Sequence, residues 1–145
     1  MAGFVTDASV TLTWCFEDEA TTWTDHLLER LRAGEEALVA AHWPMEVSNA
    51  ILMAIRRGRI TEEKVRRFFD DIRSLPIKID SESTAQAFRR AFELAQQHKL
   101  TSYDAAYLEV AVRANLPLAT LDDELRNAAI AEGVLLPRVP SDLPS

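Results

Sequence analysis

The feature that most constrains the fold is the repeated alternation of short apolar runs with longer segments of helical periodicity. Each run is too short for a helix and ends at polar or turn-forming residues, which indicates a buried strand. No Asn-Gly dipeptide, the strongest signal of a tight hairpin, separates the runs. This order favours an α/β protein with β-α-β crossovers and a mainly parallel sheet covered by helices on both faces. The predicted strands cover residues 4–7, 38–41, 77–80 and 116–121, with a possible fifth at 133–136.

The segments between these runs carry residues that are typical of helix starts and ends. Pro44 suits a first helical turn, and Gly58 ends the helix that Pro44 opens. Thr61 has the sequence context of an N-cap, because two acids follow it before an apolar stripe that reaches Ile72. In addition to the helix after Thr61, the predicted helices cover residues 19–33, 44–57, 81–97, 102–114 and 122–132.

Length and composition indicate one domain over residues 1–145. Hydrophobic residues make up 48% and charged residues 27% of the chain, which are the proportions of a soluble globular protein. We expect an ordered core from about residue 4 to residue 136, followed by a short irregular C-terminal tail.

The single cysteine and the start of the chain favour a cytoplasmic protein. Cys15 has no partner for an intramolecular disulfide, and a lone thiol does not make a cysteine-based zinc site. The sequence has neither a basic segment followed by a long apolar one at its N-terminus nor an apolar run of 18 residues. We therefore expect no secretion and no membrane span.

The net charge of −7 argues against a protein that coats nucleic acid by bulk electrostatic attraction, since phosphate binding is driven by Lys and Arg. Any contact with nucleic acid must then be local. Basic residues do cluster in the middle of the chain, where they form either a solvated helix face, the commoner role, or a guiding patch. The cluster consists of Arg56, Arg57, Arg59, Lys64, Arg66, Arg67 and Arg73, with Arg89 and Arg90 further on.

Four acids lie at junctions between the predicted elements. Asp7 and Asp122 follow the first and fourth strands, and Glu46 and Asp104 lie in the first turns of helices. Taken singly, each has a structural explanation, because an acid there caps a helix or complements its dipole by roughly 0.3–1 kcal/mol. Taken together, they are expected at one edge of a parallel sheet, where ligands of such folds bind.

A group of carboxylates at one edge needs a neutralising partner, since like charges repel strongly. Mg²⁺ and Mn²⁺ prefer oxygen ligands and retain bound waters. Such an ion can lower the pKa of a bound water, orient it toward a phosphodiester and stabilise charge on the leaving oxygen. The pattern is therefore compatible with metal-assisted hydrolysis of a phosphodiester, and this chemistry requires no histidine or cysteine.

Several other α/β enzyme classes lack their required residues in this sequence. The segment from Asp7 is superficially similar to the start of phosphoaspartate phosphatases, but their second acid two residues later is missing. Response-regulator receivers need a lysine after a late strand, and no lysine is placed there. The four glycines do not form a Walker A or dinucleotide-binding loop, and Ser9 lacks the flanking glycines of a nucleophile elbow.

The junction segments resemble the four acidic motifs of PIN domains, in the order that the family uses, and VapC toxins of bacterial toxin–antitoxin pairs are the best match. The resemblance extends from Phe4 to about Leu136, and its most distinctive parts are Tyr103–Tyr107 and Thr120–Asp122. The four segments are Val5–Ser9, Trp43–Ala50, Thr101–Leu108 and Leu118–Asp122.

The resemblance implies a PIN-like three-layer α/β/α fold with a five-stranded parallel sheet. It further implies cleavage of RNA with Mg²⁺, for which Mn²⁺ is a possible substitute, as well as homodimerisation and inhibition by a VapB-type antitoxin. By position, the acidic quartet that binds the metal corresponds to Asp7, Glu46, Asp104 and Asp122. The polar residues that hold the carboxylates in place correspond to Ser9, Asn49 and Thr120.

Two alternatives remain open from the sequence. Either acid of the Asp122-Asp123 pair can point into the cleft, and although the Thr-x-Asp spacing selects Asp122, Asp123 can assist a second metal. The second alternative is a catalytically silent scaffold of the same fold that binds RNA or protein.

Overall fold

The computed structural model describes residues 2–138 and contains a four-stranded parallel sheet with the strand order β3-β2-β1-β4. The strands are β1 (Ala2–Thr6), β2 (Glu36–Val39), β3 (Ile77–Ile79) and β4 (Leu118–Ala119). The α-helices are α1 (Ala8–Thr13), α2 (Thr22–Arg32), α3 (Trp43–Arg56), α4 (Glu62–Ser74), α5 (Arg90–His98), α6 (Ser102–Ala114) and α7 (Asp123–Ala131). Two short 3₁₀ helices cover Glu17–Glu19 and Ala85–Phe88.

Four of the predicted strands form, whereas the five-stranded sheet is not confirmed. Within residues 2–138, the segment at 133–136 contributes only an isolated parallel bridge between Leu118 and Leu135. Leu118 donates to the Val134 carbonyl at 2.6 Å, and Leu136 donates to the Leu118 carbonyl at 2.9 Å. The pairing is short because β4 has only two residues. The end of the predicted tail, residues 139–145, lies outside the described residues.

The helices agree with the sequence where caps are present and differ where they are not. The Thr61 side chain caps α4, as its sequence context indicates, and Thr101 caps α6 directly before the predicted start of that helix. The single helix predicted over residues 81–97 is wrong, because Arg89, with φ −126° and ψ −114°, separates a 3₁₀ turn from α5. Helix α1 was not predicted at all.

Side chains on the two faces of the sheet build separate cores, which gives the three-layer arrangement. Val5 and Leu118 belong to the larger core, together with apolar residues of α3, α4, α5, α6 and α7. Phe4 packs on the opposite side with Leu27 and Leu31 of α2. Adjacent residues of β1 thus point to opposite faces, as the pleat of a strand requires.

The order of the strands determines where a cleft can form. From β1 the chain adds β2 and β3 on one side, and then crosses to place β4 on the other side of β1. The connections therefore diverge above the carboxyl ends of β1 and β4, which is the switch point at which open α/β sheets bind ligands. Asp7 directly follows β1, and Thr120 directly follows β4.

Candidate active site

Asp7 is a buried carboxylate at the switch point, with only 3% of its surface exposed. It caps α1 by accepting the Val10 amide at 3.2 Å, and it accepts the Ser9 hydroxyl at 2.6 Å and the Thr120 hydroxyl at 2.5 Å. Burial raises the pKa of Asp7 from 3.8 to about 6, and the charge of Glu46 adds to this rise. The hydrogen bonds oppose the rise by favouring the ionised form.

Ser9 and Thr120 connect Asp7 to the loop that leads into α7. The Thr120 hydroxyl, which donates to Asp7, also accepts the Asp122 amide at 3.0 Å. The Ser9 hydroxyl likewise accepts the Leu121 amide at 2.9 Å. Two hydroxyls therefore hold the ends of β1 and β4 together and fix the orientation of the Asp7 carboxylate.

Asp104 lies in the first turn of α6 and is half buried. Burial raises the pKa of its carboxyl to about 6, and the charges of Asp122, Glu46 and Glu124 add to the rise in that order. The structure therefore brings Asp104 into the electrostatic field of two other predicted site acids. Glu124, one residue beyond the Asp122-Asp123 pair, was not singled out in the sequence.

Glu46 is held by a buried tyrosine that the sequence analysis did not assign to the site. The Tyr107 hydroxyl donates to Oε1 of Glu46 at 2.6 Å, and the Tyr107 side chain is fully buried. Burial raises the pKa of Tyr107 above its usual range, so the hydroxyl remains a donor. The available signal was helical spacing, because Tyr107 lies three residues after Asp104 on α6 and thus on the same side of the helix.

His42 lies beside the Glu46 carboxylate and contacts two tyrosine rings. Its Nε2 is 3.7 Å from Oε1 of Glu46, and the ring centroids are 4.8 Å from Tyr107 and 5.6 Å from Tyr103. Burial lowers the pKa of His42, whereas Glu46 and a backbone hydrogen bond with Tyr103 oppose the change. The lowered pKa favours the neutral imidazole, whose role here is to pack against the rings of Tyr103 and Tyr107.

The remaining predicted residues differ in position. Asp122 caps α7 by accepting the Leu125 amide at 2.8 Å, and Asp123 is an exposed residue in the first turn of that helix. Asn49 is exposed on α3, and among residues 2–138 it makes no hydrogen bond with any of the four acids. Ser9 and Thr120 thus contact a carboxylate, whereas Asn49 does not.

The chemistry of the donors suits a hard divalent cation. The side chains at and around Asp7 and Asp104 offer carboxylate oxygens. The raised pKa values of these two residues reflect burial and repulsion by other carboxylates, Glu46 among them, which a cation would relieve. In the part of the chain that is described, no three His, Cys, Asp or Glu side chains are grouped so that they could hold a metal by themselves. This arrangement fits Mg²⁺, which usually takes one or two carboxylates and completes its shell with water.

The basic cluster is exposed at the end of α3, in the connection to α4 and on α4, and part of it is paired. Arg59 bonds Glu19 at 2.6 Å and Asp18 at 3.3 Å, and Arg73 bonds Asp70 at 2.8 Å. Arg56 lies ten residues after Glu46 on α3, which corresponds to about 15 Å along the helix axis. Arg56 is therefore remote from Glu46 along the helix, whereas Arg73 lines a pocket with Trp43 and Val47 near the start of α3. Between residues 2 and 138, every helix is too short or too polar to cross a membrane.

Comparisons with known proteins give a consistent result. The profile of the PIN domain matches residues 4–131. Ribonuclease VapC3 of Pyrobaculum aerophilum is 32% identical over 80 residues, which are 55% of this chain but only 61%, less than two thirds, of that protein. A crystal structure of PAE2754 from Pyrobaculum aerophilum superposes with a TM-score of 0.66 at 23% identity, covering 88% of this chain and 84% of that one. The latter similarity concerns the fold.

Proposed function

This chain belongs to the PIN-domain family, and we propose that it is a metal-dependent endoribonuclease of the VapC toxin type. The observation that carries the proposal is the group of carboxylates at the β1–β4 switch point, where the pKa values of Asp7 and Asp104 both rise to about 6. Buried and closely spaced carboxylates lower the stability of a protein. Binding of a cation is a function that explains their presence here. The similarity to Ribonuclease VapC3 supports RNA as the substrate.

In this proposal Asp7, Glu46, Asp104 and Asp122 would hold Mg²⁺, or Mn²⁺ in its place, one or two of them directly and the others through its bound waters. When bound, the cation supplies an activated water and neutralises charge that develops on the phosphodiester. The protein contributes orientation: Ser9 and Thr120 direct Asp7, and Tyr107 directs Glu46. Asp7 and Asp104 must lose their protons before they bind a cation, so activity is expected to rise with pH through about 6.

The experiment that tests the proposal is incubation of total cellular RNA with the purified protein in Mg²⁺, in Mn²⁺ and in EDTA. Asp7→Asn is run in parallel, with Glu63→Gln as the matched control, because Glu63 is an exposed first-turn acid of α4. We expect discrete fragments with either metal from the wild type and from Glu63→Gln, but none in EDTA or from Asp7→Asn.

The outcomes separate the enzyme from its alternative. Mapping the ends of metal-dependent fragments would identify the RNA and the cleavage position. RNA binding without cleavage under every metal condition would contradict the proposal and favour a silent scaffold of the PIN fold. Cleavage that survives Asp7→Asn would reject the site while retaining the activity.

The proposal includes a VapB-type antitoxin and a homodimer, because these accompany toxins that this chain resembles. The negative cleft and the net charge of −7 favour a partner segment that inserts a basic residue among the acids. Replacing Asp7 and Asp104 together with alanine should then weaken antitoxin binding. Unchanged affinity in a titration would contradict cleft insertion, and light scattering of the free protein tests the dimer.

A further inference from the structure

We propose that the exposed ring of Tyr103 is a stacking platform for one unpaired nucleobase beside the carboxylate site. The inference rests on the proposed function, since it assumes that RNA reaches this cleft. It assigns Tyr103 the role of a positioning residue that contacts the substrate next to the cleaved bond.

The position of Tyr103 suits this role. The residue directly precedes Asp104 in the first turn of α6, so their Cα atoms are about 3.8 Å apart. Although tyrosine is a large aromatic residue, 66% of its surface is exposed here. The ring also contacts His42, whose Nε2 is 3.7 Å from Oε1 of Glu46, so the exposed ring lies close to a carboxylate of the site.

The ring is supported from behind rather than free. Its centroid lies 5.6 Å from the His42 ring at an interplanar angle of 48°, and His42 lies 4.8 Å from Tyr107 in the same tilted manner. Tyr107 is fully buried and bonds Glu46. This row of three rings links the exposed platform to the acidic site, and it reduces the entropy lost when a base stacks on the outer face.

The negative charge of the site favours a contact with RNA that does not depend on its phosphates. The neighbouring Asp104 lies in the negative electrostatic field of Asp122, Glu46 and Glu124. This field repels a phosphate group until a cation is present. Stacking on an aromatic ring attracts a base without regard to charge and tolerates every base. It requires an unpaired nucleotide, because the bases of a duplex are already stacked on their neighbours.

The inference is tested by fluorescence anisotropy with a short labelled RNA in Mg²⁺, using Asp7→Asn as the parent to prevent cleavage. Tyr103→Ala is compared with Tyr103→Phe and with Phe92→Ala. Phe92 is a matched control because its aromatic ring is 51% exposed but lies away from the start of α6. It is six residues, about 9 Å of helix, before the end of α5, the end from which the chain continues to Tyr103. Each variant is measured with the single strand, with the same strand annealed to its complement, and with strands that lack one nucleobase.

We expect Tyr103→Ala to weaken single-strand binding roughly 5- to 100-fold, while Tyr103→Phe and Phe92→Ala bind like the parent. Duplex binding should be unaffected by any of these variants. One abasic position should weaken the parent but not Tyr103→Ala. Equal melting temperatures of parent and Tyr103→Ala would verify that folding is intact, as expected for an exposed ring.

Binding by Tyr103→Ala that equals the parent's, or a loss that Tyr103→Phe shares, would overturn the inference. Failure of the parent to bind single-stranded RNA would overturn it as well. These results are independent of the nuclease itself, which is judged by metal-dependent cleavage with the wild-type protein. If the wild type cleaves and Tyr103→Ala is unimpaired, only the stacking role is rejected.

Discussion

Asp7 combines two roles that conflict energetically. It accepts three hydrogen bonds that suit an ionised carboxylate, yet it is buried so fully that its pKa still rises to about 6. The ionised form therefore costs folding free energy at neutral pH. A buried acid that lowers stability in this way is a candidate functional residue, because its charge is then expected to serve the activity. The assignment of Asp7 to the site rests on this argument.

The first prediction concerns this cost. At pH 7 in EDTA, Asp7→Asn should raise the free energy of unfolding by roughly 1–3 kcal/mol, because the amide has the same shape without the buried charge. Urea unfolding of the two proteins measures the difference, and the RNA assay should show that cleavage is lost. A less stable variant that still cleaves RNA would contradict the assignment of Asp7.

Thr120 gives a second prediction at the same scale. Thr120→Val removes the hydrogen bond to Asp7 and the acceptor of the Asp122 amide, while it preserves the shape of the side chain. We expect kcat to fall about 10- to 100-fold, as when the residues that orient metal ligands are replaced. The pKa of Asp7 should also rise, because a bond that stabilises its ionised form is lost, and this moves the acid limb of the pH–rate profile to higher pH.

A shifted profile distinguishes a positioning role from general damage to the fold. Thr24→Val is a suitable control, since Thr24 is a buried threonine of α2 whose hydroxyl bonds Thr21 instead of a site acid. It should lower stability but leave the pH of half-maximal rate unchanged. Identical profiles for the wild type and Thr120→Val would show that Thr120 has no influence on Asp7.

Among the elements, those with local signals were predicted well. Thr61 and Thr101 each cap a helix whose start was expected at the following residue, and the pattern of apolar residues located β1 and β2 within two residues. These features depend on interactions within a few residues of one another. The sequence therefore contains the information directly.

Two features that the sequence analysis missed, α1 and the role of Tyr107, involve contacts between distant parts of the chain. Helix α1 is rich in β-branched residues, yet Asp7 caps it and Trp43 donates to the Thr11 hydroxyl at 3.0 Å across 32 positions. Tyr107 and Glu46 are separated by 61 positions. Local propensity does not report such contacts, so the motifs predict the four candidate acids, whereas no local signal predicts the bond between Tyr107 and Glu46.

Helix α6 allows a prediction at the scale of an element, because its N-cap orients Asp104. Thr101 accepts the Asp104 amide at 3.1 Å, so Thr101→Ala should cost about 1 kcal/mol and reduce RNA cleavage. Thr61→Ala removes the equivalent cap of α4, where Thr61 accepts the Lys64 amide at 3.3 Å, and should cost a similar amount without loss of cleavage. RNA cleavage and urea unfolding are measured for both variants. Equal cleavage by two variants of equal stability would show that α6 does not need its cap to position Asp104.

For the molecule as a whole, the carboxylates create a link between folding, protons and metal. Asp7 and Asp104 have pKa values of about 6 in the folded protein, above the 3.8 of an ordinary aspartate. The folded state therefore binds more protons than the unfolded state between these values, and stability must fall as pH rises across that window. A cation at the site competes with the same protons.

The final prediction follows from this competition. In EDTA, the unfolding free energy should fall between about pH 4 and pH 6, by up to about 3 kcal/mol from Asp7, with a smaller contribution from half-buried Asp104. Mg²⁺ should add little stability at the acid end and progressively more toward neutral pH, because it needs the ionised carboxylates. Urea unfolding across this range, with and without Mg²⁺, measures both effects. The double variant Asp7→Asn, Asp104→Asn should flatten both curves, whereas a Mg²⁺ increment that is independent of pH would place the cation away from these two residues.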